Sequence, residues 1–241
     1  ERTSRRKVIR RLVGEIAQGF KKNPHTNLLI GHGAGSFGHI QASRYNTRTG
    51  VKSMGDWRGF VSVATTVAEL NSIVTTELLS VGLPVFNVRP SSSAQCQDGN
   101  LHYMAVEPIS DAIKNGLIPL LHGDVAFDRT RGGTIISTEM ILRFLAPSLP
   151  PKKVLLAGIA PGVLKRHPQG TVIPEITPST FADYAAHASI SDAPDVTGGM
   201  KEKVAEMLTL VQSIPAATVH IFSAETEGAL ARSLDGTEAT G

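Results

Sequence analysis

Four glycines lie close together near the start of this chain, and their spacing predicts an anion-binding turn. The segment Asn27-Leu28-Leu29-Ile30-Gly31-His32-Gly33-Ala34-Gly35-Ser36-Phe37-Gly38-His39 follows a short apolar run with glycine at positions 31, 33, 35 and 38. The apolar run, 28–30, predicts a buried strand, and the residues after the glycines predict a helix. Glycine lets the backbone approach a ligand, and N–H groups at a helix N-terminus favour a phosphate. We therefore predict a phosphate site, to which His32 and His39 would add donors.

The glycine spacing also fits a packing turn or a dinucleotide site. A strand-to-helix turn can be rich in glycine for packing alone. Gly33–Gly38 also matches the dinucleotide pattern G-x-G-x-x-G, which needs a second strand that ends in an acidic residue about 20 positions on. Asp56 lies at about that distance, but residues 45–55 contain hardly any apolar run that predicts a strand. The phosphate turn is therefore the better interpretation.

A second glycine pair precedes another predicted helix, in the segment Asp195-Val196-Thr197-Gly198-Gly199-Met200-Lys201-Glu202-Lys203. Asp195 or Thr197 can cap this helix, and the glycines allow an anion to approach its N-terminus. Lys203 lies about one turn into the helix, where its ammonium can reach a phosphate. The alternative is a plain capped helix with an exposed lysine. Two anion-binding turns indicate a substrate with a phosphate at each side, which is typical of phosphoryl transfer.

Strands and helices alternate along the chain. Apolar runs predict strands at 28–30, 84–88, 117–121, 125–128, 133–136, 154–157 and 217–222, with 125–128 and 133–136 forming a hairpin. Helical spacing predicts helices at 8–20, 37–45, 57–82, 109–115, 140–145, 181–187 and 200–211, and 46–55 is predicted to be an exposed loop. The expected fold is α/β, a largely parallel central sheet with helices on both faces.

Polar residues follow several of these strands, in the clusters Gly31–His39, Arg89–Ser93, His122–Asp124 and Ser137–Glu139. Ligands in such sheets bind at the carboxyl ends of the strands, so we expect the four clusters to form one site. Arg89 could pair with an anion, and Asp124 could hold a metal or an ammonium. Each cluster taken singly is equally consistent with a capped turn, and Ser137-Thr138-Glu139 has the chemistry of a helix N-cap.

Composition narrows the class of protein. The 241 residues include 41% hydrophobic and 19% charged side chains, as in ordinary globular proteins, and the net charge of +3 is too small to indicate a nucleic-acid partner. Cys96 is the single cysteine, so no internal disulfide can form and a reducing compartment is expected. No stretch is apolar and long enough to cross a bilayer. We expect a cytoplasmic protein that binds neither nucleic acid nor membrane.

Taken in order, these motifs resemble the isopentenyl phosphate kinases of the amino acid kinase superfamily. The resemblance rests on Gly31–His39, Arg89-Pro90-Ser91-Ser92, Leu121-His122-Gly123-Asp124, Gly133-Thr134-Ile135-Ile136-Ser137 and Asp195–Met200. It implies an ATP-dependent enzyme that converts isopentenyl phosphate to isopentenyl diphosphate with Mg²⁺, and a homodimer. It also implies one amino acid kinase-like domain over 1–241, with acceptor binding in 1–150 and nucleotide binding in 151–241.

The resemblance assigns individual residues as well. His39, the last histidine of the glycine turn, is implied to be catalytic and to hydrogen-bond the acceptor phosphate. Gly33, Ala34 and Thr138 are implied to contact the acceptor, whereas Gly35, Gly199 and Lys203 are implied to contact ATP. No side chain is assigned as a metal ligand. The helix from Trp57 would line the prenyl tail with Trp57, Phe60, Val61 and Ala64.

Three departures from the family pattern keep other functions open. The family opens with a strand carrying Lys-x-Gly-Gly-Ser, which we expect to precede the present sequence. The segment 157–163 lacks the family's acidic residue, and Ser137-Thr138-Glu139 stands where Ser-Gly-Asp is usual. The alternatives are a kinase of another small phosphate or phosphonate, such as a fosfomycin kinase, and an inactive nucleotide-binding or regulatory module.

Overall fold

The computed structural model describes residues 5–165, 170–187 and 199–235. Inside two helices it describes only the backbone of Ser36, His39, Ile40, Gln41, Ala186 and His187. The predicted cap residues Asp195 and Thr197 lie outside the described residues.

Helices and strands alternate as the sequence predicts. The helices are α1 (Arg6–Lys22), α2 (Gly35–Tyr45), α3 (Met54–Ser80), α4 (Glu107–Lys114), α5 (Thr138–Leu145), α6 (Phe181–His187), α7 (Gly199–Ser213) and α8 (Ala229–Asp235). The strands are β1 (Ile30–His32), β2 (Val85–Asn87), β3 (Gln95–Gln97), β4 (Asn100–Tyr103), β5 (Ile118–His122), β6 (Asp124–Asp128), β7 (Gly132–Ile136), β8 (Lys153–Gly158) and β9 (Thr218–Ser223). The predicted α/β class is confirmed. None of the helices in the described ranges combines the length and the apolar character that a bilayer crossing needs.

The chain forms two compact units. Unit 1 comprises Glu1–Arg6 and His25–Leu145, and unit 2 comprises Lys7–Pro24 and Ala146–Gly241. Helix α1 therefore belongs almost entirely to unit 2, although it precedes β1–β9 in the described sequence. The assignment of acceptor binding to 1–150 and of nucleotide binding to 151–241 stays a prediction.

The three-stranded sheet of unit 1 is parallel and has β5 in its centre, in the order β1-β5-β2. All five residues of β5 are buried, as expected for a parallel strand that is covered on both faces. Strand β1 lies two residues further along the chain than the predicted strand at 28–30, because Gly31 and His32 pair with Leu121 and His122. Gly31 and His32 are thus strand residues, and the turn begins at Gly33.

The four-stranded sheet of unit 1 has the order β4-β3-β6-β7. The predicted hairpin is present as the antiparallel pair β6 and β7. A second hairpin, β3 and β4, was not predicted from the apolar pattern because these strands are short and mostly polar. Its turn residues Asp98 and Gly99 both have positive φ, at 49° and 80°. An Asp-Gly pair is the sequence signal for such a hairpin.

Helix α3 begins with a capping box. The Asp56 N–H donates to Ser53 Oγ at 3.2 Å, and the Ser53 N–H donates to Asp56 Oδ2 at 2.8 Å. Asp56 is therefore a capping residue, which agrees with the rejection of the dinucleotide pattern. The buried face of the helix includes Phe60 and Ala64, but Val61 is 61% exposed. Val61 therefore does not share the buried face of Phe60 and Ala64, contrary to the prediction that groups the three residues.

The predicted exposed loop at 46–55 is partly buried. It contains a 3-10 helix, Thr47–Thr49, and the side chains of Thr47 and Val51 are buried. The Val51 N–H donates to the Arg131 carbonyl at 2.8 Å, and the Thr134 hydroxyl donates to the Arg48 carbonyl at 3.2 Å. Polar composition alone predicted exposure, whereas contacts with β7 and its preceding turn cover the segment.

Unit 2 contains the parallel pair β8 and β9, with helices α1, α6, α7 and α8. Helix α8 was not predicted. Its N-terminal region is held by Glu15 of α1, whose buried carboxylate accepts hydrogen bonds from the N–H groups of Gly228, Leu230 and Ala231 at 3.1–3.2 Å. The Arg11 guanidinium donates to the same carboxylate at 2.6 Å. A carboxylate at this position satisfies N–H groups that a helix start leaves unpaired.

Candidate phosphate-binding site

The glycine turn connects β1 to α2 over only two residues. Ala34 is the N-cap of α2, with φ −72° and ψ −18°, and Gly35 opens the helix at φ +50°. A side chain at Gly35 would be strained in this left-handed conformation. An alanine has no side-chain acceptor for the first N–H groups of α2, so these groups are suited to bind an anion. The predicted turn between β1 and α2 is present, and its binding of a phosphate stays a prediction.

The four glycines of this segment are needed for different reasons. A Cβ at Gly31 would lie 2.6 Å from Thr138 Cγ2, and a Cβ at Gly38 would lie 3.1 Å from Val67 Cγ2. Packing therefore explains glycine at these two positions. A Cβ at Gly33 or Gly35 would meet no described heavy atom within 4 Å. Packing does not explain the two glycines of the turn itself.

Three of the predicted polar clusters meet at the carboxyl end of β1. The Thr138 hydroxyl donates to the His32 carbonyl at 2.8 Å, and the Gly123 N–H donates to the same oxygen at 3.2 Å. Ser137 caps α5, since its hydroxyl accepts from the Met140 N–H at 3.1 Å. The predicted cap is confirmed, and it places Thr138 on the first turn of α5 against the glycine turn.

The fourth cluster joins this edge through Asp124. This fully buried carboxylate accepts from the Ser91 N–H at 3.2 Å and from the Val125 N–H at 2.9 Å. The Arg89 Nε atom lies 3.9 Å from Asp124 Oδ2 and donates to the Ser91 hydroxyl at 3.1 Å. The cation beside Asp124 is thus Arg89, whose side chain is 48% exposed. Arg89 is positioned to offer positive charge at the sheet edge.

His32 does not add a free donor to the turn, contrary to the prediction. Its Nδ1 atom lies 3.0 Å from the Gly33 carbonyl, and its Nε2 atom lies 3.0 Å from the Asn71 side-chain amide. The ring also stacks on His122, with centroids 5.5 Å apart. Burial is the largest influence on the pKa of His32 and lowers it, more than the hydrogen bond to the Gly33 carbonyl raises it. His32 is therefore a neutral support for the turn at neutral pH.

His39 is the fifth residue of α2, so its backbone lies about one turn beyond the N-terminus of the helix. Its side chain is outside the described residues. The catalytic and acceptor-binding role of His39 stays a prediction, as do the acceptor contacts of Gly33, Ala34 and Thr138.

Unit 2 contains the second predicted turn. Gly199 opens α7 at φ +67°, and Lys203 is the fifth residue of that helix. The Lys203 side chain is half-buried, and desolvation lowers the pKa of its ammonium. A phosphate near this ammonium would relieve part of the cost of burial. The predicted ATP contacts of Gly35, Gly199 and Lys203 stay predictions.

Sequence reasoning missed the side chains behind the glycine turn. Asn71 of α3 contacts His32, and its amide also lies 3.1 Å from the amide of Asn87, at the end of β2. Thr75 contacts both asparagines. The available signal was a polar residue, Asn71, four positions after the buried Val67 on the apolar stripe of α3. In the described ranges, no three His, Cys, Asp or Glu side chains are placed so that they could hold a metal ion together.

Comparison with known proteins gives consistent matches. The amino acid kinase family matches residues 2–223. The isopentenyl phosphate kinase of Methanothermobacter thermautotrophicus is 30% identical over 226 residues, which cover 90% of this chain and 83% of that protein. The isopentenyl phosphate kinase of Haloferax volcanii is 36% identical over 171 residues, which cover 70% and 65% of the two chains. An X-ray structure of an isopentenyl phosphate kinase superposes with a TM-score of 0.82 at 27% identity, and covers 98% of this chain and 90% of its own.

Proposed function

The chain belongs to the amino acid kinase family, and we propose that it is a kinase that uses ATP to convert isopentenyl phosphate to isopentenyl diphosphate. The turn Gly33–Gly35 is the single observation that carries the proposal, because packing does not explain its glycines and no side chain of Ala34 caps α2. The names of the similar proteins support the choice of acceptor.

In the proposed reaction, an oxygen of the acceptor phosphate attacks the γ-phosphorus of ATP. One P–O bond forms, and the bond between the γ-phosphorus and the β–γ bridging oxygen breaks, so that ADP leaves. Little covalent chemistry is required of the protein, and catalysis depends on position and on neutralising charge. Backbone N–H groups at Gly33 and Ala34 would bind the acceptor phosphate, and His39 would donate to it.

Thr138 has a restricted role in this proposal. Its proton is used in the hydrogen bond to the His32 carbonyl, so its hydroxyl oxygen can only accept a further hydrogen bond. We therefore assign Thr138 to the edge of the acceptor site, where its side chain limits the space beside Gly31.

Nucleotide binding is proposed for residues of each unit separately. In unit 1, the N–H of Gly35 would bind a phosphate of ATP. In unit 2, the N-terminus of α7 at Gly199 and the ammonium of Lys203 would bind phosphate oxygens, since both carry positive charge. Mg²⁺ in kinases is held largely by substrate phosphates. We propose that it binds with ATP and neutralises phosphate charge, and that the enzyme is a cytoplasmic homodimer.

The test is a turnover assay of the full-length protein with ATP and a panel of acceptors. The panel contains isopentenyl phosphate, dimethylallyl phosphate, uridine monophosphate and fosfomycin. We expect ADP release with the two prenyl phosphates and formation of the corresponding diphosphates. A preference for fosfomycin or uridine monophosphate would assign a different acceptor. No turnover with any acceptor, together with measurable ATP binding, would identify an inactive nucleotide-binding module.

A further inference from the structure

A chain of side-chain contacts runs from β2 through α3 to the glycine turn. The Asn87 amide lies 3.0 Å from the Thr75 hydroxyl and 3.1 Å from the Asn71 amide. The Asn71 amide lies 3.0 Å from His32 Nε2, and His32 Nδ1 lies 3.0 Å from the Gly33 carbonyl. All of these distances are those of good hydrogen bonds. Together the contacts join β2 to α3, α3 to β1, and β1 to the glycine turn.

The last contact fixes the tautomer of His32. A carbonyl oxygen only accepts hydrogen bonds, so His32 Nδ1 must carry a proton. The imidazole is neutral at neutral pH, because burial lowers the pKa of His32. Its Nε2 atom is then a hydrogen-bond acceptor, and the Asn71 atom that faces it must be the amide nitrogen.

The hydrogen bonds at the other end of this series of contacts, around Thr75, require the same orientation of the Asn71 amide. The Thr75 hydroxyl has one proton and lies 2.7 Å from the Asn71 backbone carbonyl, to which it donates. The Asn87 atom beside Thr75 must then be a donor, which is the amide nitrogen. Its second proton points to the Asn71 amide oxygen. Amide oxygen and nitrogen are assigned from their hydrogen-bond partners, and this orientation gives each contact of the series one donor and one acceptor.

We propose that Asn87, Asn71 and His32 are positioning residues that hold the Gly33 carbonyl in one direction and thereby aim the Ala34 N–H at the acceptor phosphate. The Gly33 carbonyl and the Ala34 N–H belong to one planar trans peptide and point in opposite directions. A carbonyl held against the His32 ring therefore sends the N–H to the other side of the turn. A flipped peptide would present an oxygen to the phosphate and repel it. This inference rests on the proposed function for the identity of the anion.

The tautomer is measured directly by nitrogen-15 NMR of the histidine side chains at neutral pH, without ligand. The His32 signals are identified by their loss in His32→Asn. We expect Nδ1 to be protonated and Nε2 to be unprotonated. In Asn71→Asp, a carboxylate would face Nε2 and only accept, so we expect His32 to become doubly protonated. An Nε2–H tautomer, or a doubly protonated ring, in the wild type would overturn the proposed chain whatever the activity.

Kinetics with isopentenyl phosphate test the positioning role. His32→Leu removes the donor to the Gly33 carbonyl, and we expect the acceptor KM to rise about tenfold or more, as for loss of a hydrogen bond to a charged group, with a smaller change in the ATP KM. In His32→Asn, the side-chain amide nitrogen can replace Nδ1, so the acceptor KM should stay closer to that of the wild type. An unchanged acceptor KM in His32→Leu would refute the positioning role.

Asn71→Leu is compared with Asn115→Leu, which makes the same chemical change at the exposed C-terminus of α4. We expect only Asn71→Leu to raise the acceptor KM. An equal effect of both variants would identify a general loss of stability and overturn the assignment. If the wild type had no activity on isopentenyl phosphate, the proposed function would be refuted. The hydrogen-bond series from Asn87 to Gly33 would still be tested by the NMR measurement, which needs no ligand.

Discussion

The Thr138 hydroxyl donates to the His32 carbonyl at 2.8 Å, and this bond ties the first turn of α5 to the end of β1. The Cγ2 methyl of the same threonine would be only 2.6 Å from a Cβ at Gly31, which is too close for two carbon atoms. One side chain therefore fixes the strand by its hydroxyl and excludes any larger residue at Gly31 by its methyl.

Gly31→Ala should destabilise the protein by about 1–3 kcal/mol, since the new methyl overpacks this contact. Thr138→Ser keeps the hydroxyl and removes the methyl. We expect the cost of Gly31→Ala to fall strongly in the Thr138→Ser background. The measurement is a double-mutant cycle of urea unfolding, in which contacting residues couple by about 0.5–3 kcal/mol. Additive effects of the two substitutions would contradict the contact.

The His39 assignment makes a prediction about donor chemistry. His39→Ala should lower kcat/KM for isopentenyl phosphate by about tenfold to hundredfold or more, because hydrogen bonds to charged groups are strong. His39→Gln and His39→Asn keep a donor and should recover part of the loss. Steady-state kinetics of the three variants check this. Near-normal turnover of His39→Ala would remove His39 from the mechanism.

Acceptor selectivity should follow the apolar face of α3. Burial of the five-carbon tail contributes about 0.8 kcal/mol per CH₂, whereas the hydroxyls of a nucleotide would lose hydrogen bonds there. We expect isopentenyl and dimethylallyl phosphate to exceed uridine monophosphate in kcat/KM by orders of magnitude. A competition assay measures the ratio, and a wild type that prefers uridine monophosphate would contradict the apolar pocket.

Phe60 is the residue of that face at which we expect chain length to change. It packs with Trp57 and Phe127, at ring distances of 5.3 and 5.4 Å. Phe60→Ala should extend the range to geranyl phosphate, while unfolding free energy falls by about 3–5 kcal/mol. Val61→Ala is the control, since Val61 is the next residue of the helix but is 61% exposed. If both variants gained activity on geranyl phosphate, Phe60 would not be the residue that limits the length of the prenyl tail.

Asp128 should make stability depend on acid pH. Its burial alone would raise the pKa, but four N–H donors, from Gly99, Arg131, Thr130 and Asp98, together hold the pKa of Asp128 below its usual value. A lowered folded-state pKa stabilises the protein above the unfolded pKa of about 3.9, and this stability is lost as pH falls through the folded pKa.

Asp128→Asn should therefore destabilise the protein by about 1–3 kcal/mol at neutral pH and reduce the loss on acidification. Urea unfolding between neutral pH and about pH 3 measures both effects. Asp111→Asn, at a carboxylate whose side chain is 66% exposed, is the control and should change the profile little. Parallel pH profiles of wild type and Asp128→Asn would rule out the role of Asp128.

Long apolar patterns allowed most of the fold to be predicted. Strand β5 and helix α3 bury continuous runs or stripes, so local sequence was sufficient. Strand β3 was missed because it is short and mostly polar, and helix α8 was missed because a distant residue, Glu15, holds its start. Sequence periodicity contains no information on such partners.

The glycine turn was predictable because its chemistry is local. Gly33, Ala34 and Gly35 are consecutive, and they form the predicted connection between β1 and α2. The support behind the turn was not predictable. Asn71 lies 39 residues after His32 in the chain, and Asn87 lies further still. The polar side chains that orient a binding turn belong to other elements, and only the tertiary structure brings them together.

Glu15 also sets the order in which the molecule can be assembled on the ribosome. Its partner Gly228 lies 213 residues further along the chain, so helix α1 is made long before the helix that it holds. When synthesis reaches Leu145, the segment His25–Leu145 of unit 1 is complete, whereas unit 2 still lacks everything from Ala146 onward. Unit 1 can therefore fold during translation, because domains fold as units from the N-terminus onward. Unit 2 is discontinuous and can close only after the segment that contains α8 has been made.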